Sequence, residues 1–184
     1  MAAANSGEQE FPVYKGKQYF TLFTVFLAIF VNSTSILTFN YHNATCTELV
    51  YSVEGTAVGQ IFLVVSLLIY PIMTYATNSM AYFSKGARAG PSLGAALSLA
   101  GAFCRGGSVW WAPGGGGYAR YNLLLAGQVL FACAQPLLLN PVLQITDDWF
   151  DAMERDWSSK ALLSAAPAGT VAGLLAGARL VVAR

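Results

Sequence analysis

The run LLLAGQVLFACAQPLLLNPVLQI, from Leu123 to Ile145, constrains this chain more than any other segment. It is apolar over the length of a membrane crossing and stops abruptly in the acidic, aromatic segment TDDWFDAMERDWSSK. A helix rises about 1.5 Å per residue and a hydrocarbon core is about 30 Å thick, so roughly 20 apolar residues make one crossing. Gln128, Gln135 and Asn140 interrupt the run. Facing lipid they would be costly, so they are expected to face protein or a water-filled path. The segment therefore predicts a polytopic membrane protein with a polar route through it.

Composition agrees. Hydrophobic residues make up 55% of the chain and charged ones 10%, against about 25% charged in an ordinary soluble domain. A net charge of +1 offers no strongly basic patch, which argues against nucleic acid as a partner. Cys46, Cys104 and Cys133 are odd in number and widely spaced, so neither a disulfide framework nor a metal knuckle is expected. The N-terminal MAAANSGEQEFPVYKGKQ lacks the basic start and short apolar stretch of a cleavable signal. The first apolar run reads instead as a retained span.

The pattern predicts an all-α, polytopic membrane helix bundle in the lipid bilayer. A tail covers residues 1–18 and a transmembrane domain 19–184, with about five spans near 19–39, 57–83, 91–111, 121–145 and 161–182. The third is weaker, being rich in Gly and Ala and carrying Arg105. With the N-terminus inside, the inner segments hold Lys15, Lys17, Lys85, Arg88, Arg155 and Lys160, and the outer ones Arg120 and Arg184; this asymmetry favours a cytoplasmic N-terminus. Gly169, Gly173 and Gly177 form one small-residue face, and Gly90, Gly94, Ser98 and Ala102 another, both expected to serve ordinary helix packing. The sequon Asn43-Ala44-Thr45 lies so near the first span that it is expected to stay unused. The Gly114–Gly117 run reads as a flexible link with no phosphate-loop signal.

No nucleophile, base and oxyanion set is visible, so no enzyme, cofactor or metal site is expected. His42 stands at the membrane edge without partner spacing, and Asp147, Asp148 and Asp151 lack the pattern of a calcium loop and suit a solvated face better; Asp147 and Asp148 could also cap a short helix of that loop. Arg105 is different, because an Arg at mid-span costs roughly 2.5–3.5 kcal/mol on insertion scales. It should face a cavity, pair with a neighbouring carboxylate or carbonyl, or snorkel toward Trp110 and Trp111. Asn32, Ser33, Ser35, Thr38 and Asn40 give the first span a polar second half, suited to a substrate path or to interhelical hydrogen bonds. Tyr70-Pro71, Gln135-Pro136 and Asn140-Pro141 mark positions where proline frees a carbonyl and kinks a helix.

The order Gln128, Ala134-Gln135-Pro136-Leu137-Leu138-Leu139-Asn140, Trp149-Phe150 and Glu154-Arg155 resembles the fourth helix and following cytoplasmic loop of the feline leukaemia virus subgroup C receptor-related group of the major facilitator superfamily. Gly86-Ala87-Arg88, Leu93-Gly94, Leu97, Gly101-Ala102 and Arg105 resemble its second loop and third helix, Tyr70-Pro71 its second-helix element, and Gly169 and Gly173 its fifth-helix glycines. Phe83 stands where relatives carry an acid, Ile36 where they often carry tryptophan, and Ala166 where asparagine is frequent. The resemblance implies a secondary carrier of a small organic solute, haem- or choline-like, in the plasma membrane, working by alternating access. The fold it implies has two six-helix halves with the substrate between them, so the chain corresponds to an incomplete N-terminal half whose partner is a missing C-terminal half or another membrane protein. The expected substrate path holds Asn32, Ser35, Asn40, Tyr70, Arg105, Gln128, Gln135 and Asn140. Lys85, Gly86, Arg88, Glu154 and Arg155 would form a cytoplasmic gate, with Arg88 and Glu154 as its ion pair. The alternative is a membrane adaptor that transports nothing and binds partner membrane proteins through its small-residue helices.

Overall fold

The computed structural model describes residues 15–40, 67–76, 89–110 and 117–182, and all of these are helical except a turn at Asn140-Pro141 and the link Phe150-Asp151. The helices are α1 (Lys15–Asn40), α2 (Leu67–Ala76), α3 (Ala89–Trp110), α4 (Gly117–Leu139), α5 (Val142–Trp149) and α6 (Ala152–Val182). The architecture is an all-α membrane helix bundle. Three described stretches, Gly16–Leu37, Ala119–Trp149 and Ala152–Gly177, are long and apolar enough to cross a membrane. Helix α3, with its glycines, serines and Arg105, has the length but is not among these three. The predicted second span is described only over α2, where Pro71 lies inside the helix.

Helix α1 shows how the bundle is sorted. Leu22, Val25, Ile29 and Asn32 are buried, whereas Phe20, Phe23, Leu27 and Val31 are exposed. Steps of three and four residues place each set on its own face of a 3.6-residue helix. An outward stripe of large apolar side chains is a liability in water and the natural surface against lipid. The inward stripe joins Leu138, Val142, Ile145, Phe150, Leu162 and Ala165 in one core.

Helix directions follow from who meets whom. Tyr19 meets Phe150 and Thr34 meets Gly169, so α1 and α6 run parallel. Asn32 bonds Ser98 and Arg105 bonds Ser35, so α1 and α3 also run parallel. Gly94 faces Leu138 and Gly101 faces Gly127, which makes α4 antiparallel to α3. The end of α1 and the start of α3 thus lie at opposite ends of the bundle, and the predicted second span stands between them in sequence.

Small residues set the spacing. A Cβ on Gly101 would lie 2.9 Å from the Gly127 oxygen, and one on Gly127 would lie 2.8 Å from the Gly101 oxygen, so α3 and α4 touch backbone to backbone. A Cβ on Gly169 would run into the Phe30 carbonyl of α1. Both glycine faces therefore serve packing within the chain. Ala102 is exposed, and Gly101 takes the contact position expected of it.

Two departures from the expected spans matter for function. Helix α4 ends at Leu139 because Pro141 has no N–H to return to the Leu137 carbonyl and its ring crowds the preceding turn, whereas Pro136 stays inside α4. Helix α6 begins at Ala152, well before the predicted span at residue 161. The acidic segment is thus nearly all helical. Its N-terminal cap is Asp151, whose Oδ1 accepts the Ala152 N–H at 2.8 Å. Asp147 and Asp148 do not cap a helix start; they sit in the last turn of α5.

Candidate functional site: a polar seam between three helices

The buried stripe of α1 turns polar at Asn32 and Ser33, which are 1% and 3% exposed. Asn32 Nδ2 donates to Ser98 Oγ of α3 at 3.0 Å and to the Phe131 carbonyl of α4 at 3.2 Å. One amide therefore ties three helices together. Phe131 is available there because the Gly101–Gly127 approach draws α3 and α4 close just beside it.

Arg105 lies two helical turns along α3 from Ser98, on the same side. Its Nη1 donates to the Ser35 carbonyl at 2.6 Å, and its guanidinium carbon stands 5.6 Å from the centre of the Phe131 ring. A carbonyl partner and an aromatic face both lower the cost of a cation among helices. Of the placements open to Arg105, the structure shows pairing with a neighbouring carbonyl. Arg120 does comparable work one turn further along α3, donating to the Ser108 and Val109 carbonyls that α3 leaves unsatisfied at its C-terminus.

The seam also holds polar atoms without a partner among the described residues. Gln128 is 1% exposed, and among the described residues neither its Oε1 nor its Nε2 has a hydrogen-bond partner. Asn32 Oδ1 and Ser33 Oγ are likewise buried and, among the described residues, unpartnered. Each such group costs about 1–3 kcal/mol relative to a bonded one. Gln128 precedes Phe131 by three residues on α4, which puts it on the same helix face as the Asn32 contact. An uncharged donor–acceptor set of this kind can take up a polar solute or ordered water by hydrogen bonding.

The other expected site residues are placed as follows. Ser35 contributes its carbonyl to Arg105. Gln135 is half-buried one turn beyond Phe131. Asn140 occupies the α4–α5 turn, with its backbone N–H on the Pro136 carbonyl at 3.0 Å and its Nδ2 buried and unpartnered. Tyr70 of α2 is 40% exposed. Lys85, Gly86 and Arg88, as well as His42, Asn43 and Cys46 and the Asn40 side chain, lie outside the described residues. The expected Arg88–Glu154 pair therefore has only one described member. Arg155 instead bonds Asp147, Nε to Oδ1 at 3.0 Å, and joins α5 to α6. Thr146 and Ser159 make a second tie there, oxygen to oxygen at 2.9 Å.

Ser98 and Phe131 are the seam residues that sequence reasoning passed over. Helical spacing held the signal: Ser98 is seven residues before Arg105, and Phe131 three after Gln128. The chain matches no protein-family model, and no curated protein or solved structure matches it.

Proposed function

We propose that this chain is a carrier of the major facilitator type, or the N-terminal portion of one, moving a small organic solute past the Asn32–Gln128 seam by alternating access. The observation that carries the reading is Gln128, an amide buried in an apolar helix with both polar atoms unbonded among the described residues. A bundle built only for packing gains nothing from that cost, whereas a binding surface that a solute completes regains it on binding. The helix directions support the same reading. Inverted repeats of three helices have first members that run in opposite directions. Helices α1 and α4 run in opposite directions and touch at Asn32 and Phe131. In this arrangement Asn32, Ser98 and Gln128 hold the solute, Arg105 fixes α3 against α1, and the Asn140-Pro141 break lets α5 move apart from α4. The N-terminal end faces the cytoplasm, as the basic residues suggest.

The test is uptake of radiolabelled choline and of haem into proteoliposomes containing the chain. The expected result is saturable uptake of one of them above protein-free vesicles, lost in Gln128→Leu and retained in the lipid-facing Phe103→Leu. Uptake of both solutes equal to that of protein-free vesicles overturns this chain as a carrier in itself, and uptake indifferent to Gln128→Leu overturns the seam as its path.

A further inference from the structure

Where α1 and α6 begin and α5 ends, the surface carries a groove of about 330 Å³ lined by Tyr19, Phe150, Met153, Glu154, Trp157 and Ser158. The Tyr19 and Phe150 rings meet edge to face, with centroids 6.4 Å apart and planes at 71°. Trp157, 60% exposed, and Met153, 93% exposed, complete an aromatic and thioether wall. Of the nearby described acids, Glu154 is the one that lines the groove; Asp147 pairs with Arg155 and Asp156 with Lys160 at 2.6 Å, and Asp148 and Asp151 stand outside the lining. Glu154 makes no ion pair among the described residues. The Ser158 hydroxyl is committed to the Glu154 carbonyl at 2.9 Å.

Aromatic walls with one uncompensated carboxylate suit an organic cation. A primary ammonium is a compact, strongly hydrated three-donor group, and aromatic faces replace little of the water it must give up. A quaternary ammonium has no donor to satisfy and gains directly from aromatic faces. The location selects the source. The groove sits at the starting ends of two membrane-length helices, where Tyr and Trp mark the headgroup level, and the exposed Phe20 and Phe23 continue the apolar surface along α1. We propose that this groove binds the trimethylammonium group of a choline-headgroup lipid of the surrounding bilayer, at a site separate from the Asn32–Gln128 seam and independent of the carrier reading.

Native mass spectrometry of the purified chain, equilibrated with equimolar dioleoyl-phosphatidylcholine, -phosphatidylethanolamine and -phosphatidylglycerol, tests this. One phosphatidylcholine should be retained in preference to the other two. Glu154→Gln and Trp157→Ala, both at solvent-reached positions and checked for helicity by circular dichroism, should each lower its retention about tenfold. Gln128→Leu should leave retention unchanged. Equal retention of the three lipids, as expected of a plain interfacial aromatic belt, overturns the proposal, and so does insensitivity to both groove variants. Stabilisation by free choline without retention of phosphatidylcholine overturns the lipid as the source.

Discussion

Arg105 of α3 donates to the Ser35 carbonyl of α1 at 2.6 Å while lying against the Phe131 ring of α4. A single cation therefore braces three helices from a position where an unpaired charge would be expelled. Lysine keeps the charge but lacks both the planar fork and the stacking face. Arg105→Lys should lower unfolding stability in detergent by about 1 kcal/mol, and Arg105→Leu by about 2 kcal/mol through the lost charged hydrogen bond. Unchanged thermal midpoints in both variants would show that the brace contributes nothing.

Gln128 should separate stability from activity. Its amide is buried without a partner among the described residues, so Gln128→Leu removes a desolvated polar group at similar volume and should stabilise the chain by about 1–2 kcal/mol. The same change should abolish uptake. A clear loss of thermal stability in Gln128→Leu would mean that the amide is bonded within the bundle.

The Gly101–Gly127 contact leaves no room for a methyl group, since a Cβ at either position falls within 3 Å of the opposite carbonyl oxygen. Gly101→Ala and Gly127→Ala should each cost about 1–3 kcal/mol by forcing α3 and α4 apart. Gly106→Ala, where a Cβ meets nothing within 4 Å, is the control and should leave the midpoint unchanged or higher. Equal effects at all three glycines would contradict the close approach.

The Arg155–Asp147 pair is exposed, with side chains 44% and 57% accessible. A double-mutant cycle through Arg155→Ala and Asp147→Ala should give a coupling below about 1 kcal/mol, falling as salt is raised. A larger, salt-resistant coupling would identify the pair as a buried latch.

Parallel α1 and α6 require their starting ends to share one side of the membrane. In a background with Cys46, Cys104 and Cys133 replaced by serine, Lys17→Cys and Asp156→Cys should react with an impermeant maleimide from the same side, and Arg120→Cys from the other. Lys17 and Asp156 positions labelled from opposite sides would refute the bundle directions.

Much of the helical framework was legible in the sequence because membrane-length apolar runs leave the backbone little choice in hydrocarbon. The run of α1 carries its helix almost end to end, the run of α4 stops at Leu139 where a span to Ile145 is expected, and the break at Asn140-Pro141 follows from proline's missing N–H. The start of α6 was not legible. Its first turns carry Glu154, Arg155 and Asp156, a polar stretch that hydropathy reads as loop, and the helix there rests on the Asp151 cap and on burial of Ser158 and Leu162.

What the sequence determined by itself is the solvent for which each run is built, the helical state of those runs, and the short roster of polar residues that hydrocarbon would not tolerate. Only the tertiary structure decided what those residues do. Asn32 reaches Ser98 and Phe131, Arg105 reaches Ser35, and Gln128 reaches no partner among the described residues, because two pairs of glycine-bearing helices approach to backbone contact and settle the register between them. Local pattern encodes how far a helix runs and which face is apolar. It does not encode the register between helices, and a shift of one residue there would turn each of these polar groups about 100° away from its partner.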